Sequence, residues 1–132
     1  MPRAPVIRFV TQRRDAPDGQ RAGIFREAYR LWHAETLPAA DRIELRALLD
    51  WFNSHLERPQ RLAASPRPHA SKTATSWIRA SAAMHVAQLR WLAGLVQDAS
   101  IPVDELLTDR PGYVVYRDAY QVVALPSADT PQ

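Results

Sequence analysis

The most concentrated chemistry in the sequence is a basic segment that several prolines interrupt. Its basic side chains are Arg58, Arg61, Arg67, His69, Lys72 and Arg79. Arginine and lysine contact phosphate oxygens and release counterions, so a local excess of positive charge favours an anionic partner. Nucleic acid is the commonest such partner, although the sequence has no helix-turn-helix, zinc-finger or RNP signature. A solvated loop without a ligand is the alternative interpretation.

Four histidines supply the next candidates for chemistry: His33, His55, His69 and His85. None belongs to an HExxH motif, and the chain has no cysteine to assist a metal site, so we expect neither a metal nor a cofactor. His85 stands out because it lies on an otherwise apolar helical stripe. It is either the general base of a small hydrolase or lyase, or a core histidine that a hairpin tyrosine satisfies.

Enzymatic motifs give no further support for a catalytic function. The sequence has many serines but no GxSxG motif, and its four glycines form no phosphate-binding loop. The sequence therefore leaves open whether the protein is an enzyme and predicts no catalytic residue.

A second candidate surface lies near the C-terminus, where aromatic and cationic residues are close together in the sequence. Its members are Tyr113, Tyr116, Arg117 and Tyr120. Tyrosine and arginine are enriched at interface hot spots, so this set predicts a protein-binding or homodimer surface. Strand alternation places Tyr113 and Tyr116 on opposite faces. The alternative is a well-packed sheet whose outer face carries tyrosines.

Hydrophobic periodicity predicts the elements that position these residues. The predicted strands are 5–10, 103–108, 113–116 and 120–125, and the predicted helices are about 20–35, 38–56 and 76–99. In the third helix Ser76 is the predicted cap, and Trp77, Met84 and Trp91 widen a buried stripe. The Arg110-Pro111-Gly112-Tyr113 sequence predicts a type II turn. Residues 57–75 read as a long basic loop.

This element order, β-α-α-loop-α-β-β-β, predicts an α+β fold. We expect about four mainly antiparallel strands packed on three helices, with the three C-terminal strands adjacent and the N-terminal strand at one edge. The 132 residues suit one domain over 1–126, followed by a flexible tail at 127–132. No apolar run approaches the roughly 20 residues of a membrane helix, so the expected location is the cytoplasm.

Three segments resemble those of a family of small bacterial proteins for which we know of no activity. The C-terminal stretch Thr108-Asp-Arg-Pro-Gly-Tyr-Val-Val-Tyr-Arg-Asp-Ala-Tyr-Gln-Val-Val-Ala-Leu-Pro126 looks like the end of that family's sequences. Ser76-Trp77 before His85, and Asp50-Trp51-Phe52-Asn53, are also similar. The resemblance implies a compact bacterial domain and implies no catalytic residue.

The charge distribution supports the first of three functional hypotheses. The net charge is +3, and acidic residues are concentrated after Arg90. The preferred hypothesis is a non-enzymatic binding or regulatory module whose basic segment contacts nucleic acid or an acidic protein. The alternatives are a protein-binding or inhibitor module that uses the tyrosines, and a small enzyme centred on His85. An arginine-rich genome would produce the same basic bias without a function.

Overall fold

The computed structural model describes residues 4–14, 20–57 and 74–131, and these residues form three helices and five strands. The strands are β1 (Val6–Thr11), β2 (Thr75–Arg79), β3 (Val103–Thr108), β4 (Tyr113–Arg117) and β5 (Gln121–Leu125). The helices are α1 (Ile24–Ala34), α2 (Ala39–His55) and α3 (Ala83–Asp98). The predicted α+β class is confirmed, and the basic residues Arg58, Arg61, Arg67, His69 and Lys72 lie outside the described residues.

The five strands form one antiparallel sheet in the order β3-β1-β2-β5-β4. The predicted count of about four strands is low by one, because residues 75–79 form β2 instead of the first turn of the third helix. Thr75, Trp77 and Ile78 favour a strand, and all three are buried between β1 and β5. The third helix therefore begins at Ala83, and Ser76 is not its cap.

The predicted strand neighbours are wrong in two respects, since β3 is not adjacent to β4 or β5 and β1 is not an edge strand. It lies between β3 and β2, and it pairs with β3 along its whole length, from Val6 opposite Thr108 to Thr11 opposite Val103. The two edge strands, β3 and β4, are consecutive in the chain. Only residues 109–112 join them, which span at most about 18 Å, whereas four strand spacings measure about 19 Å in a flat sheet. The sheet must therefore curl.

The helices cover one face of this sheet and enclose the main core. The side chains of Ile7, Phe9 and Ile78 project from the sheet into that core. Helical residues at three- and four-residue spacings meet them, because such residues share one face of a helix. The buried helical residues include Ile24, Ala28, Leu31, Leu45, Leu49, Phe52, Leu89, Leu92 and Val96.

The other face of the sheet holds a smaller apolar cluster around Trp77. Its ring packs with Val6 and Val122, and Leu106 and Val114 approach from the two edge strands. That contact from both edges agrees with the curl of the sheet. Trp77 is buried as predicted, although it lies on a strand instead of a helix.

The C-terminal residues cross this second face. Ser127 and Thr130 form a hydrogen-bonded turn, and the Thr130 hydroxyl donates to the carbonyl oxygen of Pro111 at 3.1 Å. Pro126 and Thr130 lie beside Trp77. The flexibility of residues 127–132 stays a prediction.

Candidate functional site

Two grooves flank the β4–β5 hairpin, one on each face of the sheet. We call the groove on the face opposite the helices the arginine groove, and it measures about 680 Å³. It is lined by Ala4, Val6, Arg79, Asp109, Arg110, Pro111, Gly112, Val114, Arg117, Val122, Ser127 and Asp129. The valines form an apolar floor that rests on Trp77, and the arginines occupy the rim.

Arg79 is the one member of the predicted basic set that the structure describes. It is half-buried at the end of β2, where its Nε donates to the carbonyl oxygen of Asp118 at 2.7 Å. Its backbone N–H donates to the carbonyl oxygen of Tyr120 at 2.8 Å. Both acceptors are neutral carbonyl groups, so the positive charge of Arg79 is held in place without being neutralised by a carboxylate.

Arg110 and Arg117 complete the cationic rim, and both side chains are exposed. Within the described ranges their guanidinium groups form no ion pair and no hydrogen bond. Other described arginines contrast with them: Arg46 pairs with Asp50 and Arg90 with Glu105, each at 3.2 Å. The arginine groove therefore offers guanidinium donors that the described residues leave without an acceptor.

The local backbone explains why these two side chains reach one groove. Arg110 precedes the Pro111-Gly112 turn, and the Thr108 hydroxyl accepts its backbone N–H at 3.0 Å. A β-bulge between Val114 and Tyr116 shifts the register of β4 by one residue. Because of that shift, Val114 and Arg117 both face the same side, opposite Ala124 and Val122.

The same bulge overturns the predicted alternation of the tyrosines. Tyr113 lies opposite Leu125 and Tyr116 opposite Val123, so the two rings share the helix-side face of the sheet. Tyr113 is 50% exposed and Tyr120 is 45% exposed, whereas Tyr116 is half-buried. The predicted partner surface is thus split, with Arg117 on one face and the three tyrosines away from it.

The second groove lies on the helix side, between the hairpin and the ends of α2 and α3. We call it the hairpin groove, and it measures about 730 Å³. It is lined by Asn53, Ser54, His55, Leu56, Glu57, His85, Tyr116, Asp118, Ala119 and Tyr120. In this groove His85 lies near Tyr116 and Tyr120, two tyrosines of the predicted partner surface.

His85 is buried, and its ring is held on several sides. Its Nε2 lies 2.8 Å from the carbonyl oxygen of His55, and because a carbonyl can only accept, Nε2 is the donor. The Tyr120 ring stacks on it at 4.3 Å between centroids, and Trp51 meets it edge-on at 4.9 Å. A tyrosine thus contacts His85 as predicted, but by stacking. With its proton donated to His55, Nε2 has no lone pair for abstracting a proton from a substrate.

Asp118 organises the hairpin, a role that the sequence analysis did not assign. Its Oδ1 accepts the N–H groups of Tyr120 and Gln121 at 2.8 and 2.9 Å. Its Oδ2 accepts the Tyr116 hydroxyl at 2.9 Å and the Gln121 amide at 3.1 Å. Aspartate commonly bonds the backbone two residues on, which is why Arg117-Asp118-Ala119 turns without a glycine.

These hydrogen bonds shift the pKa of the Asp118 carboxyl and of the Tyr116 phenol. Partial burial raises the pKa of Asp118, but the hydrogen bonds from Tyr120, Gln121 and Tyr116 outweigh it, so the pKa lies below the ordinary 3.8. The hydrogen bond to Asp118 is the main cause that raises the pKa of the Tyr116 phenol above 10.0. Asp118 is thus an ionised carboxylate whose acceptor sites the protein itself occupies.

The described residues contain no group of three histidines, aspartates or glutamates that could hold a metal ion. The helices in this part of the chain include none that is long and apolar enough to cross a bilayer. No protein-family model, curated protein or solved structure matches the chain.

Proposed function

We propose that this protein is a binding module for an anionic partner and that Arg79, Arg110 and Arg117 form the described part of its contact surface. The observation that carries the proposal is the pair of exposed, unpartnered guanidinium groups of Arg110 and Arg117 beside the anchored Arg79. A guanidinium group donates in a planar fork that matches phosphate or carboxylate oxygens.

The other residues that line the arginine groove indicate which kind of ligand contact it can make. Among the described residues no aromatic ring lines the arginine groove, so this part of the chain provides no platform there for stacking of nucleic-acid bases. Asp109 and Asp129 also lie at the rim and oppose the three arginines. Three arginines against two aspartates still leave an excess of positive charge. This excess supports contacts to phosphate groups along a nucleic-acid backbone without base-specific readout. The basic residues between 58 and 72 remain a predicted extension of this surface.

A direct test measures the binding of a fluorescent oligonucleotide to the intact protein at low salt. We expect Arg110→Gln with Arg117→Gln to weaken binding by at least about tenfold, because two phosphate contacts are lost. Arg46→Gln with Arg90→Gln removes the same charge from arginines that are already paired, and is the matched control. The absence of binding by the parent protein, or an equal loss in both double variants, contradicts the proposal.

A second candidate function is protein binding through Tyr113 and Tyr120, which are both about half exposed. A contact of this kind buries aromatic rings and therefore tolerates salt. It predicts a complex that Tyr113→Ser with Tyr120→Ser weakens and that the Arg110 and Arg117 substitutions leave unchanged. Loss of the complex at about 0.5 M salt contradicts this alternative.

A further inference from the structure

The outer face of α3 carries apolar residues that the fold leaves uncovered. Met84 is 64% exposed and Trp91 is 55% exposed, whereas the sequence predicts both to border the buried stripe. Ala87 is also exposed, and Gly94 is half-buried. Residues 84, 87, 91 and 94 follow three- and four-residue spacings, so they form one stripe along the helix, which we call the outer stripe. Large and small side chains alternate along it.

Gly94 leaves open space beside α3 within the described part of the chain. A Cβ atom built at this position meets no atom within 4 Å. Glycine within a helix is costly relative to alanine because it loses more backbone freedom on folding. A glycine beside an exposed tryptophan and methionine therefore leaves room for the close approach of another molecule.

The two ends of α3 show an unusual charge arrangement. Ala82 caps the N-terminus without a side-chain hydrogen bond, and the first turn contains no acidic residue. Asp98 is the last residue of the helix and is exposed. Negative charge stabilises a helix N-terminus and opposes the partial negative charge at a C-terminus. Within one chain the side-chain charges at both ends of α3 thus fail to complement the helix dipole.

We propose that a second copy of this chain packs antiparallel against the outer stripe. With the twofold axis near residue 89, Met84 lies over Gly94 of the second copy and Trp91 over its Ala87. Each large side chain then meets a small one. The same register places the Asp98 carboxylate of each copy beside the N-terminus of the other copy's α3, where the first turn has no acidic residue. The negative charge then faces the partial positive charge of that N-terminus.

Size and charge set the expected strength of this dimer. The helix is 16 residues long, or about 24 Å, so the contact buries less than the roughly 800 Å² per partner of a standard interface. We therefore expect a dissociation constant in the micromolar range. Arg90 of each copy approaches the axis, but its charge is matched by Glu105 of the same chain at 3.2 Å.

Sedimentation equilibrium of the full chain, from about 1 μM to about 1 mM, tests the association. We expect a reversible dimer that Trp91→Gln weakens by at least about tenfold, because the central aromatic contact is lost. Leu107→Gln is the matched control, since Leu107 is 64% exposed but lies on β3. Gly94→Gln weakens the dimer while it raises the urea midpoint of the monomer, which separates association from folding. A monomer at every concentration, or equal weakening by Leu107→Gln, overturns the proposal.

The register has its own test, because the chain contains no natural cysteine. In an antiparallel pair centred near residue 89, the two copies of residue 88 are about 3 Å apart along the axis and those of residue 97 about 24 Å. A short bifunctional thiol reagent should therefore link Gln88→Cys into a dimer and leave Gln97→Cys as a monomer. Linkage of Gln97→Cys at an equal rate indicates a parallel pair and overturns the arrangement.

Discussion

The arginine groove and the hairpin groove lie on opposite faces of the same two strands, and they differ in how their polar groups are satisfied. In the hairpin groove Asp118 accepts four hydrogen bonds from its own chain, and His85 donates to His55. In the arginine groove the guanidinium groups of Arg110 and Arg117 have no partner in the described part of the chain.

This difference separates polar groups that stabilise the fold from polar groups that are free to contact a ligand. A polar group whose bonds are all made within the protein stabilises the fold, and a ligand must displace one of those bonds to reach it. A guanidinium group without a partner has no such cost. The hairpin groove contains the more conspicuous residues, two histidines and two tyrosines. Asp118 and the Nε2 of His85 are nevertheless already hydrogen-bonded there, whereas the guanidinium groups of Arg110 and Arg117 are unbonded within the described part of the chain.

The largest expected effect comes from Gly112, which joins the two edge strands beside the arginine groove. Its φ of 121° lies where side chains are strained, and a Cβ there would lie 2.0 Å from the carbonyl oxygen of Leu125. Gly112→Ala should lower the free energy of unfolding by about 3 kcal/mol or more, measured by urea denaturation. Gly94→Ala is the control and should be neutral or stabilising. An unchanged midpoint for Gly112→Ala would mean that the 109–112 crossing is not rigid.

Removal of the Asp118 carboxylate should have the next largest effect. Asp118→Ala leaves the N–H groups of Tyr120 and Gln121 without their acceptor, and we expect a loss of about 2 kcal/mol in the same measurement. Asp109→Ala is the control, because the Asp109 side chain is exposed and makes no hydrogen bond within the described ranges. Equal losses in the two variants would show that the hairpin does not depend on Asp118.

The pH dependence of stability also tests the contribution of the Asp118 carboxylate. Because the pKa of Asp118 is lowered in the folded state, its contribution is fully present above the unfolded value of about 3.8. It is lost as pH falls through the lower folded pKa. Urea midpoints measured from pH 6 down to about pH 2 should therefore fall less steeply for Asp118→Asn than for the parent protein. Parallel curves would contradict the assigned shift.

The smallest effect concerns Tyr116, whose pKa is raised above 10.0 by Asp118. A raised pKa means that the neutral phenol is favoured in the folded protein, so its contribution is present below pH 10 and lost at higher pH. In an absorbance titration one tyrosine should ionise after the others. Tyr116→Phe should remove that late step, and Tyr113→Phe should leave it. A titration in which all the phenols ionise together contradicts the prediction.

The sequence allowed much of this fold to be predicted, because α1 and α2 show clear helical periodicity and β4 and β5 are rich in valine and tyrosine. It failed at β2, where Thr75-Ser76-Trp77-Ile78 runs directly toward a helix. Because apolar residues follow helical spacing from Ile78 to Val96, the predicted helix was begun at Ser76, inside what is strand β2. The pairing of β2 between β1 and β5 is a tertiary effect that local spacing does not reveal.

The candidate site was predictable in part. The basic character was recognised from composition, and the hairpin tyrosines stay a predicted partner surface. Strand alternation placed Tyr113 and Tyr116 on opposite faces, whereas the structure places them on one face. The bulge that turns Arg117 toward Arg110 left no residue signal, since neither Val114 nor Val115 is typical of a bulge. Asp118 carried a signal, the turn preference of aspartate, although its role in the hairpin was not predicted.

The most direct test of the arginine groove is the salt dependence of oligonucleotide binding. For the parent protein the logarithm of the association constant should fall linearly with the logarithm of salt concentration. Arg110→Gln with Arg117→Gln should make that slope shallower by about 1.4 to 1.8, the value for two lost phosphate contacts on single or double strands. Arg46→Gln with Arg90→Gln should leave it unchanged. An equal slope for the parent and the Arg110 and Arg117 variant would contradict the assignment of this groove as the anion-binding surface.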